Sequence, residues 1–387
     1  MLIASEIKSF SKKALLAAAL FLAGIPLSAQ HQEATRPDST GIVRTEQTAV
    51  GNEKHHAPEK FSAGEMIMEH ILDSHEWHIM TVNGHAIQVP LPIIIYSPTK
   101  GFSAFMSSRF EEGKVAYNGY LLRNGKIIAE DGSELYDLSI TKATAAMMLS
   151  VLLLMWIFIS VANAYKKRPN QAPKGLQSFV EPIILFVRDE VAKPAIGPKF
   201  EKYIPYLLTV FFFILINNLM GIIPIIPFGA NVTGNIAVTM TLALFTFVIT
   251  TVIANRGYWV HIVNTPGVPW WLKIPVPLMP IVELLGVFIK PFVLMLRLFA
   301  NMTAGHIIPL GFFALIFIFG EMSKSVGYSV SVVSVALSLF MGILELLVAF
   351  LQAYVFTLLS AMYFGMAIEE HHHNHAHDGH DDEPSVI

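Results

Sequence analysis

The sequence has 387 residues, of which 53% are hydrophobic and only 14% are charged, and its formal net charge is −3 at pH 7. Soluble globular proteins average about 25% charged residues, so this composition excludes an ordinary soluble domain and predicts a membrane protein with several spans. No basic tract interleaved with aromatic residues points to nucleic acid as a partner. The chain contains no cysteine, which excludes disulfides, thiolate chemistry and cysteine-bound metals.

Residues 1–29 have the layout of a secretory signal peptide. Lysines precede the apolar run ALLAAALFLAGIPL, and the small residues of LSAQ follow it. This three-part pattern predicts cleavage after Ala29 and export of the segment that follows. The alternative is an uncleaved first transmembrane helix, but the run is shorter than the ~20 residues that a span needs.

Residues 30–140 are predicted to form an extracytoplasmic linker followed by a small domain. Residues 31–60 are polar and poor in aromatics, which is typical of a flexible linker. The segment FSAGEMIMEHILDSHEW has apolar residues at helical spacing. Farther on, glycine-bounded apolar runs favour β-strands, and the Asn-Gly pair at 124–125 and the Asp-Gly pair at 131–132 predict hairpin turns.

The predicted membrane domain, residues 143–368, begins with a span at 143–165. This first segment carries no charge and is followed at once by Lys166, Lys167 and Arg168. Because cytoplasmic loops are rich in Lys and Arg, the C-terminal end of the span is expected in the cytoplasm and its N-terminal end outside. This orientation agrees with a cleaved signal peptide.

Four more spans are expected beyond an amphipathic helix at 176–192, whose charged residues predict a position at the membrane interface. Residues 204–255 contain no Asp, Glu, Lys, Arg or His, which leaves room for two spans. The apolar segments at about 278–320 and 327–368 are each longer than one span needs, so they are either tilted or interrupted. The predicted fold is therefore an all-α membrane protein with about five transmembrane helices and a small extracytoplasmic domain. Its location is predicted to be a bacterial inner membrane, with the N-terminus in the periplasm and the C-terminus in the cytoplasm.

The C-terminal tail, residues 369–387, includes six histidines within ten residues, in HHHNHAHDGH. A disordered cytoplasmic tail is the favoured interpretation, because nothing in the pattern sets a coordination geometry. Metal binding by the tail is the alternative. No metal site or cofactor is predicted elsewhere in the chain.

The stretch LMLRLFANMTAGH places Arg297, Asn301 and His306 within an otherwise apolar segment. An ionisable residue at membrane depth costs roughly 3 kcal/mol or more, so it indicates a functional site. On an ideal helix, Arg297 and His306 lie ~180° apart. Gly305 and Pro309 could distort that geometry.

Spacings of seven residues put further polar residues on shared helix faces. Glu283, Lys290 and Arg297 lie close to one stripe, and Glu345 and Gln352 share a face of the last span. Carboxylates and imidazoles exchange protons near neutral pH, whereas arginine does not deprotonate, so the set predicts a proton path in which Arg297 is a fixed charge. The alternative is that these groups pair with one another and have a structural role only. For Lys290 the alternative is that its side chain snorkels to the membrane surface. For Gln352 it is a hydrogen bond between helices.

Around these residues the sequence resembles subunit a of the F-type ATP synthase. The matching text is ELLGVFIKPFVLMLRLFANMTAGH at 283–306 and LQAYVFTLLSAMYFGMAIEEH at 351–371, with weaker support from NNLMGIIP at 217–224. The resemblance covers about residues 143–371. It implies a non-catalytic proton-channel subunit without a cofactor. The implied partners are a ring of c subunits, subunit b of the peripheral stalk, the ATPase F1 head through the stalk, and membrane lipid.

The resemblance also implies roles for individual residues. Arg297 matches the family's essential arginine, which faces the carboxylate of the rotating c-ring between two offset half-channels. Asn301 and Gln352 match polar residues that border the channel, and Glu283 matches an acidic residue of the cytoplasmic half-channel.

His306 and Glu345 match the ionisable pair of the outer half-channel. Family members can carry Glu on the first helix and His on the second; here the two are exchanged, and a proton relay survives because both types remain. The sequence departs from the family pattern at Ala300, where Gly is usual, at Val293, where Ser is common, and at Gly221, where an acidic residue is frequent. These departures are expected to bear on the inner half-channel.

Two other functions are weighed against this one. A secondary cation/proton transporter would be expected to show internal repeats with broken helices in corresponding places, and no such repeat is visible in the sequence. A structural membrane scaffold with an extracytoplasmic binding domain leaves the intramembrane Arg, His and Glu unexplained.

Overall fold

The computed structural model describes residues 62–82, 85–110, 113, 115–123, 125–169, 171–223, 229–263 and 278–369. The predicted signal peptide, the predicted linker and the histidine-rich tail beyond Glu369 lie outside these residues. The described chain consists of a small domain of one helix and several strands, followed by a helical membrane domain.

The small domain begins with helix α1, Ala63–Ile71, which is shorter than the helical spacing of its sequence suggested. Asp73 ends the helical pattern, because its carboxylate accepts a hydrogen bond from the backbone N–H of Ser74 at 3.0 Å. Such local bonds compete with helical backbone bonds. The predicted helix therefore stops early, and Glu76 opens a strand instead.

The strands of the described residues pair antiparallel in small sheets. One hairpin joins β1 (Glu76–Val82) to β2 (His85–Pro90). A second hairpin joins β5 (Tyr120–Arg123) to β6 (Lys126–Ala129). The third sheet has the strand order β4-β3-β7, formed by β3 at Pro92–Ser97, β4 at Gly101–Met106 and β7 at Tyr136–Asp137. A 3-10 turn at Ser107–Phe110 follows β4. Alternate residues of β3, including Ile93 and Ile95, are fully buried in the core of this domain.

One of the two predicted hairpin turns is confirmed and the other is wrong. Arg123 pairs with Lys126, so β5 turns into β6 at the Asn-Gly pair, where Gly125 has a φ of +73°. After the Asp-Gly pair the chain does not return along β6, because β7 pairs with β3. There the Asp131 carboxylate accepts from the N–H of Ser133 at 3.1 Å, which directs the chain away from β6.

The membrane domain confirms the prediction of five spans. Among the described residues, five helices are long and apolar enough to cross a membrane: α2 (Lys142–Lys167), α5 (Ile204–Ile222), α6 (Ile236–Ile253), α8 (Leu278–Met322, of which Met279–Met322 is the candidate span) and α9 (Lys324–Ile368). A short helix α7, Arg256–Val263, precedes α8.

The predicted amphipathic segment is helical, with a change of winding in its middle. Helix α3, Leu176–Phe186, continues as a π-helical turn at Val187–Ala192, then as α4, Lys193–Ile196, and ends in a 3-10 turn at Gly197–Lys202. Its inner side is buried through Val180, Ile184, Val187 and Val191. A position at the membrane interface stays a prediction.

The two long apolar segments form continuous helices rather than interrupted ones. Helices α8 and α9 have 45 residues each, about 68 Å at 1.5 Å per residue, and α8 continues through Pro291 and Pro309. This length is more than twice the ~30 Å hydrocarbon core of a bilayer, so helices confined to it must tilt strongly. The two helices pack along one another.

Helix α5 lies at the centre of the membrane domain, between α2 and α9. It is apolar on all sides, the pattern of a buried helix. Asn218 joins it to its neighbours: its side-chain amide donates to the carbonyl of Ala349 at 3.2 Å, and its side-chain oxygen accepts from Thr233 at 2.7 Å. These buried bonds set the height of α9 relative to α5.

Candidate functional site

The structure brings together two of the predicted site residues, His306 on α8 and Glu345 on α9. His306 Nδ1 lies 3.3 Å from Glu345 Oε1, and the two side chains are 17% and 8% exposed. The contact has the distance of an ion pair but lacks the alignment of a hydrogen bond. The pair sits where the two long helices face each other, so either group can pass a proton to the other after a small rotation.

Two glycines provide the space for this pair. A Cβ at Gly305 would lie 3.0 Å from Glu345 Oε1, and a Cβ at Gly221 would lie 3.3 Å from His306 Nε2. Gly221, a departure from the family pattern that was expected to bear on the inner half-channel, lies beside His306 at the end of α5. Sequence reasoning named Gly305 only as a residue that could distort the helix and missed its contact with Glu345, which depends on how closely α8 and α9 approach.

A polar face of α9 extends from Glu345 in both directions. Ser334, Ser338, Glu345 and Gln352 are all buried, and their spacings of four and seven residues put them on one side of the helix. Ser338 donates to the carbonyl of Pro309 at 3.5 Å. The shared face predicted for Glu345 and Gln352 is therefore confirmed, and the serines are additional members that the same spacing could have revealed.

Arg297 and Asn301 lie one turn apart on α8 and are exposed. Because α8 is continuous, the half-turn predicted between Arg297 and His306 is retained. Among the described residues, no carboxylate lies within ion-pair distance of Arg297. The structure therefore does not join Arg297 to the His306–Glu345 pair, and leaves its charge available at the surface of the chain.

A second group of ionisable residues lies near the start of α8. Lys290 Nζ is 5.6 Å from the ring centre of Tyr363, and Glu283 lies within electrostatic range of both Lys290 and Tyr258. Arg297 is also within electrostatic range of Tyr363. Lys290, for which snorkelling was the alternative, is half-buried over an aromatic ring in this arrangement.

A small cavity adjoins this second group. It is bounded by α6, α7, α8 and α9, and its polar lining comprises Lys290, Tyr258, Tyr363 and three threonines of α6, Thr246, Thr250 and Thr251. Sequence reasoning missed the threonines and tyrosines because single hydroxyl groups in apolar helices are common and carry little signal. The cavity has room for a water molecule beside these polar groups, although most of its lining is apolar.

The two groups are well separated along α8. Glu283 precedes Arg297 by 14 residues and His306 follows Arg297 by nine, roughly 21 Å and 13 Å along the helix axis. Arg297 therefore lies between a half-buried polar cavity and a buried His–Glu pair. Within the described ranges, no group of three or more His, Asp or Glu side chains is placed to hold a metal ion.

Comparisons with known proteins agree with this arrangement. A family model described as ATP synthase A chain matches residues 144–365, and a second model, described as a domain of unknown function, DUF8433, matches residues 66–148. ATP synthase subunit a of Chloroherpeton thalassium is 44% identical over 257 residues, covering 65% of this chain and 72% of the relative.

Two further relatives extend the match. ATP synthase subunit a 2 of Chlorobaculum tepidum is 49% identical over 252 residues, covering 64% of this chain and 67% of the relative. ATP synthase subunit a 2 of Chlorobium luteolum is 36% identical over 375 residues and covers 94% of each chain, so its likeness includes the small domain. The resemblance found in the sequence is thereby confirmed, and the chain belongs to the ATP synthase A chain family.

Proposed function

We propose that this chain carries protons across the membrane as the a subunit of ATP synthase, through two half-channels that Arg297 separates. The observation that carries the proposal is the order of groups along α8: a polar cavity beside Glu283, then the exposed Arg297, then the buried His306–Glu345 pair. A path with a fixed cation in its middle cannot conduct protons straight through, because arginine does not release its proton.

The outer half-channel is assigned to His306 and Glu345. Their 3.3 Å contact supports proton exchange between them, and Ser334 and Ser338 continue the polar face of α9 away from the pair. Protons entering here neutralise a carboxylate of the c-ring, which can then move through lipid. The exchanged order of His and Glu leaves this relay intact, because each helix still carries one group that can take up and release a proton.

Arg297 acts on the c-ring carboxylate rather than on a group of this chain. Its exposed position, without a carboxylate partner among the described residues, supports this assignment. A fixed positive charge attracts the carboxylate in its ionised form and favours loss of its proton. The driving force is ~2.3 kcal/mol per charge for each 100 mV of membrane potential, together with the pH difference.

The inner half-channel is assigned to the cavity beside Glu283. Lys290, Tyr258 and Tyr363 contribute polar atoms to that cavity, and Glu283 is near enough to act on two of them electrostatically. Protons released at Arg297 leave by this route. Asn301 and Gln352 border the path, one on the exposed face of α8 and the other on the buried face of α9.

The orientation and the partners follow from the same proposal. The small N-terminal domain lies in the periplasm of a bacterial cell and the C-terminus in the cytoplasm, as the Lys and Arg after α2 favour. The exposed side of α8 faces the ring of c subunits. Subunit b of the stalk holds the chain against rotation and joins it to the F1 head, so the chain itself is a non-catalytic subunit.

The test is Arg297→Ala in the complete ATP synthase, reconstituted in vesicles. Proton-driven ATP synthesis and ATP-driven proton uptake are both expected to be lost, because the ring carboxylate loses the charge that releases its proton. Arg123→Ala is the matched control: it removes an exposed arginine of the small domain and should leave both rates unchanged. ATP synthesis retained in Arg297→Ala would overturn the proposal.

A further inference from the structure

Two consecutive residues, Asp73 and Ser74, bond the small domain to the membrane domain, and the next residue, His75, bonds their loop to the small domain itself. The Asp73 carboxylate accepts from the N–H of Ala143 at 2.9 Å, and the carbonyl of Ser74 accepts from the N–H of Lys142 at 2.8 Å. His75, which is buried, bonds Asp137 at 2.9 Å. These bonds tie the loop after α1 both to the first turn of α2 and to β7, so the domain is held firmly over the end of that helix.

A second contact joins the domain to the helix that carries His306. Helix α1 packs against α8, the helix that carries His306. This packing is independent of the bonds at Asp73 and Ser74, because it involves a different element of the domain and a different membrane helix. The domain therefore reaches from the start of α2 to α8.

Charged groups lead from the domain to the pair with increasing burial. Asp73 is exposed and Lys142 is half-buried, whereas His306 and Glu345 are 17% and 8% exposed. Lys142 lies within electrostatic range of Asp73 and of His306. Among the described residues that face His306, α9 provides Glu345, α2 provides Lys142, and α5 provides the uncharged Gly221.

We propose that the small domain forms the mouth of the half-channel that ends at His306 and Glu345, and that Lys142, positioned by the bonds of Asp73 and Ser74 to the first turn of α2, places a fixed positive charge in that mouth. The inference rests on the proposed function in taking this pair as the end of a water-filled path. It assigns a role to the segment that matches the domain of unknown function. Lys142 is a positioning residue, since its charge acts on the path without exchanging protons there.

A fixed ammonium group in the mouth has a defined consequence for other ions. It repels hydrated metal cations, as charged residues in the pores of selective channels do, while protons still move along water and titratable groups. It also opposes a second positive charge on His306, so that a proton arriving there passes on to Glu345. Both effects depend on the charge at position 142 and not on the shape of its side chain.

The test uses the absence of cysteine from this chain. Ser338→Cys places one thiol on the polar face of α9, next to Pro309. The complete ATP synthase, in vesicles, is treated from the side of the small domain with two thiosulfonate reagents of similar size, one cationic and one anionic. Modification of this chain is followed by mass spectrometry, and each rate is divided by that of a free thiol.

Both reagents are expected to react, the anionic one faster. Lys142→Gln should lower the anionic-to-cationic rate ratio by roughly fourfold, the effect of one unit charge on the order of 10 Å away in water. Lys142→Arg keeps the charge and should keep the ratio. Lys100→Gln is the matched control, because it removes a lysine from an exposed pair with Asp131 on the same domain and should not change the ratio.

Two results would overturn the inference: no reaction of the thiol from the side of the small domain, or an unchanged ratio in Lys142→Gln. Neither depends on proton transport. If Arg297→Ala abolishes ATP synthesis while the ratio is insensitive to Lys142, the proposed function stands and the mouth assignment alone is wrong. If the rate ratio changes in Lys142→Gln but Arg297→Ala retains ATP synthesis, the mouth assignment stands and the proposed function alone is wrong.

Discussion

A methyl group added at position 305 tests whether the spacing of His306 and Glu345 sets the rate of proton transfer. In Gly305→Ala the new Cβ would lie 3.0 Å from Glu345 Oε1 and 3.3 Å from its Cγ and Cδ. Because favourable contacts between such atoms are at about 3.5 Å, the carboxylate must withdraw by roughly 0.5 Å. The His306–Glu345 contact, 3.3 Å in the native chain, then lengthens by a similar amount.

Stability and transport should respond differently to this change. Overpacking costs about 1–3 kcal/mol, and replacing glycine by alanine in a helix returns about 1 kcal/mol, so the net loss of stability is less than about 2 kcal/mol. The rate of proton transfer should fall more than the stability does, because a displacement of about 1 Å between reacting groups can reduce a rate by a factor of about 100. For half that displacement we expect roughly a tenfold slower proton uptake.

The assay is ATP-driven proton uptake by the complete complex in vesicles, with thermal unfolding of the same preparation as the measure of stability. Gly311→Ala is the matched control, since it lies on the same helix and a Cβ there has no atom within 4 Å. It should leave uptake unchanged. A wild-type rate in Gly305→Ala, or an equal loss in Gly311→Ala, would refute the reasoning.

Two further predictions concern stability. Gly365→Ala should prevent assembly or destabilise the chain by at least about 3 kcal/mol, because its Cβ would overlap the backbone carbonyl of Ala195, which cannot move aside as a side chain can; thermal unfolding of the complex measures this. The small domain should lose hydrogen-exchange protection both in acid and in alkali. Burial alone would lower the pKa of His75 and raise that of Asp137, but their mutual hydrogen bond, their charge attraction and further hydrogen bonds together outweigh burial and shift both the other way.

The direction of each pH effect follows from these shifts. The raised pKa of His75 gives stability that is complete below its ordinary value of 6.5 and is lost as pH rises through the raised value. The lowered pKa of Asp137 gives stability that is complete above 3.8 and is lost as pH falls through the lowered value. Protection of β7, corrected for intrinsic exchange, should therefore be greatest between these two ordinary values.

Each of these predictions has a control. Gly342→Ala lies on the same helix as Gly365, has no atom within 4 Å of a Cβ, and should be tolerated. For the small domain, His75→Gln should remove the alkaline loss of protection, because glutamine does not titrate. An alkaline loss that persists in that variant would show that another group is responsible.

Much of the fold follows from local patterns. Helices α5 and α6, and α2 between its terminal lysines, are apolar runs without charge, long enough for one span each, and hydrocarbon admits few other backbone structures. The number of spans could therefore be predicted, as could the shared face of Glu345 and Gln352, since helical periodicity fixes which residues of one helix lie together. Periodicity misled at α1, where Asp73 diverts the chain through a bond that spacing does not reveal.

Contacts between elements that are distant in sequence could not be predicted. By itself the sequence determined the family, the spans and the identity of the intramembrane ionisable residues, because unpaired charge is rare in apolar helices. Tertiary structure alone decided that Gly221 lies against His306, that three threonines and two tyrosines line a cavity beside Glu283, and that Lys142 lies between Asp73 and His306. The physical reason is that each contact depends on the height and rotation at which two helices pack, and these are set by the whole set of interhelical contacts rather than by any one segment.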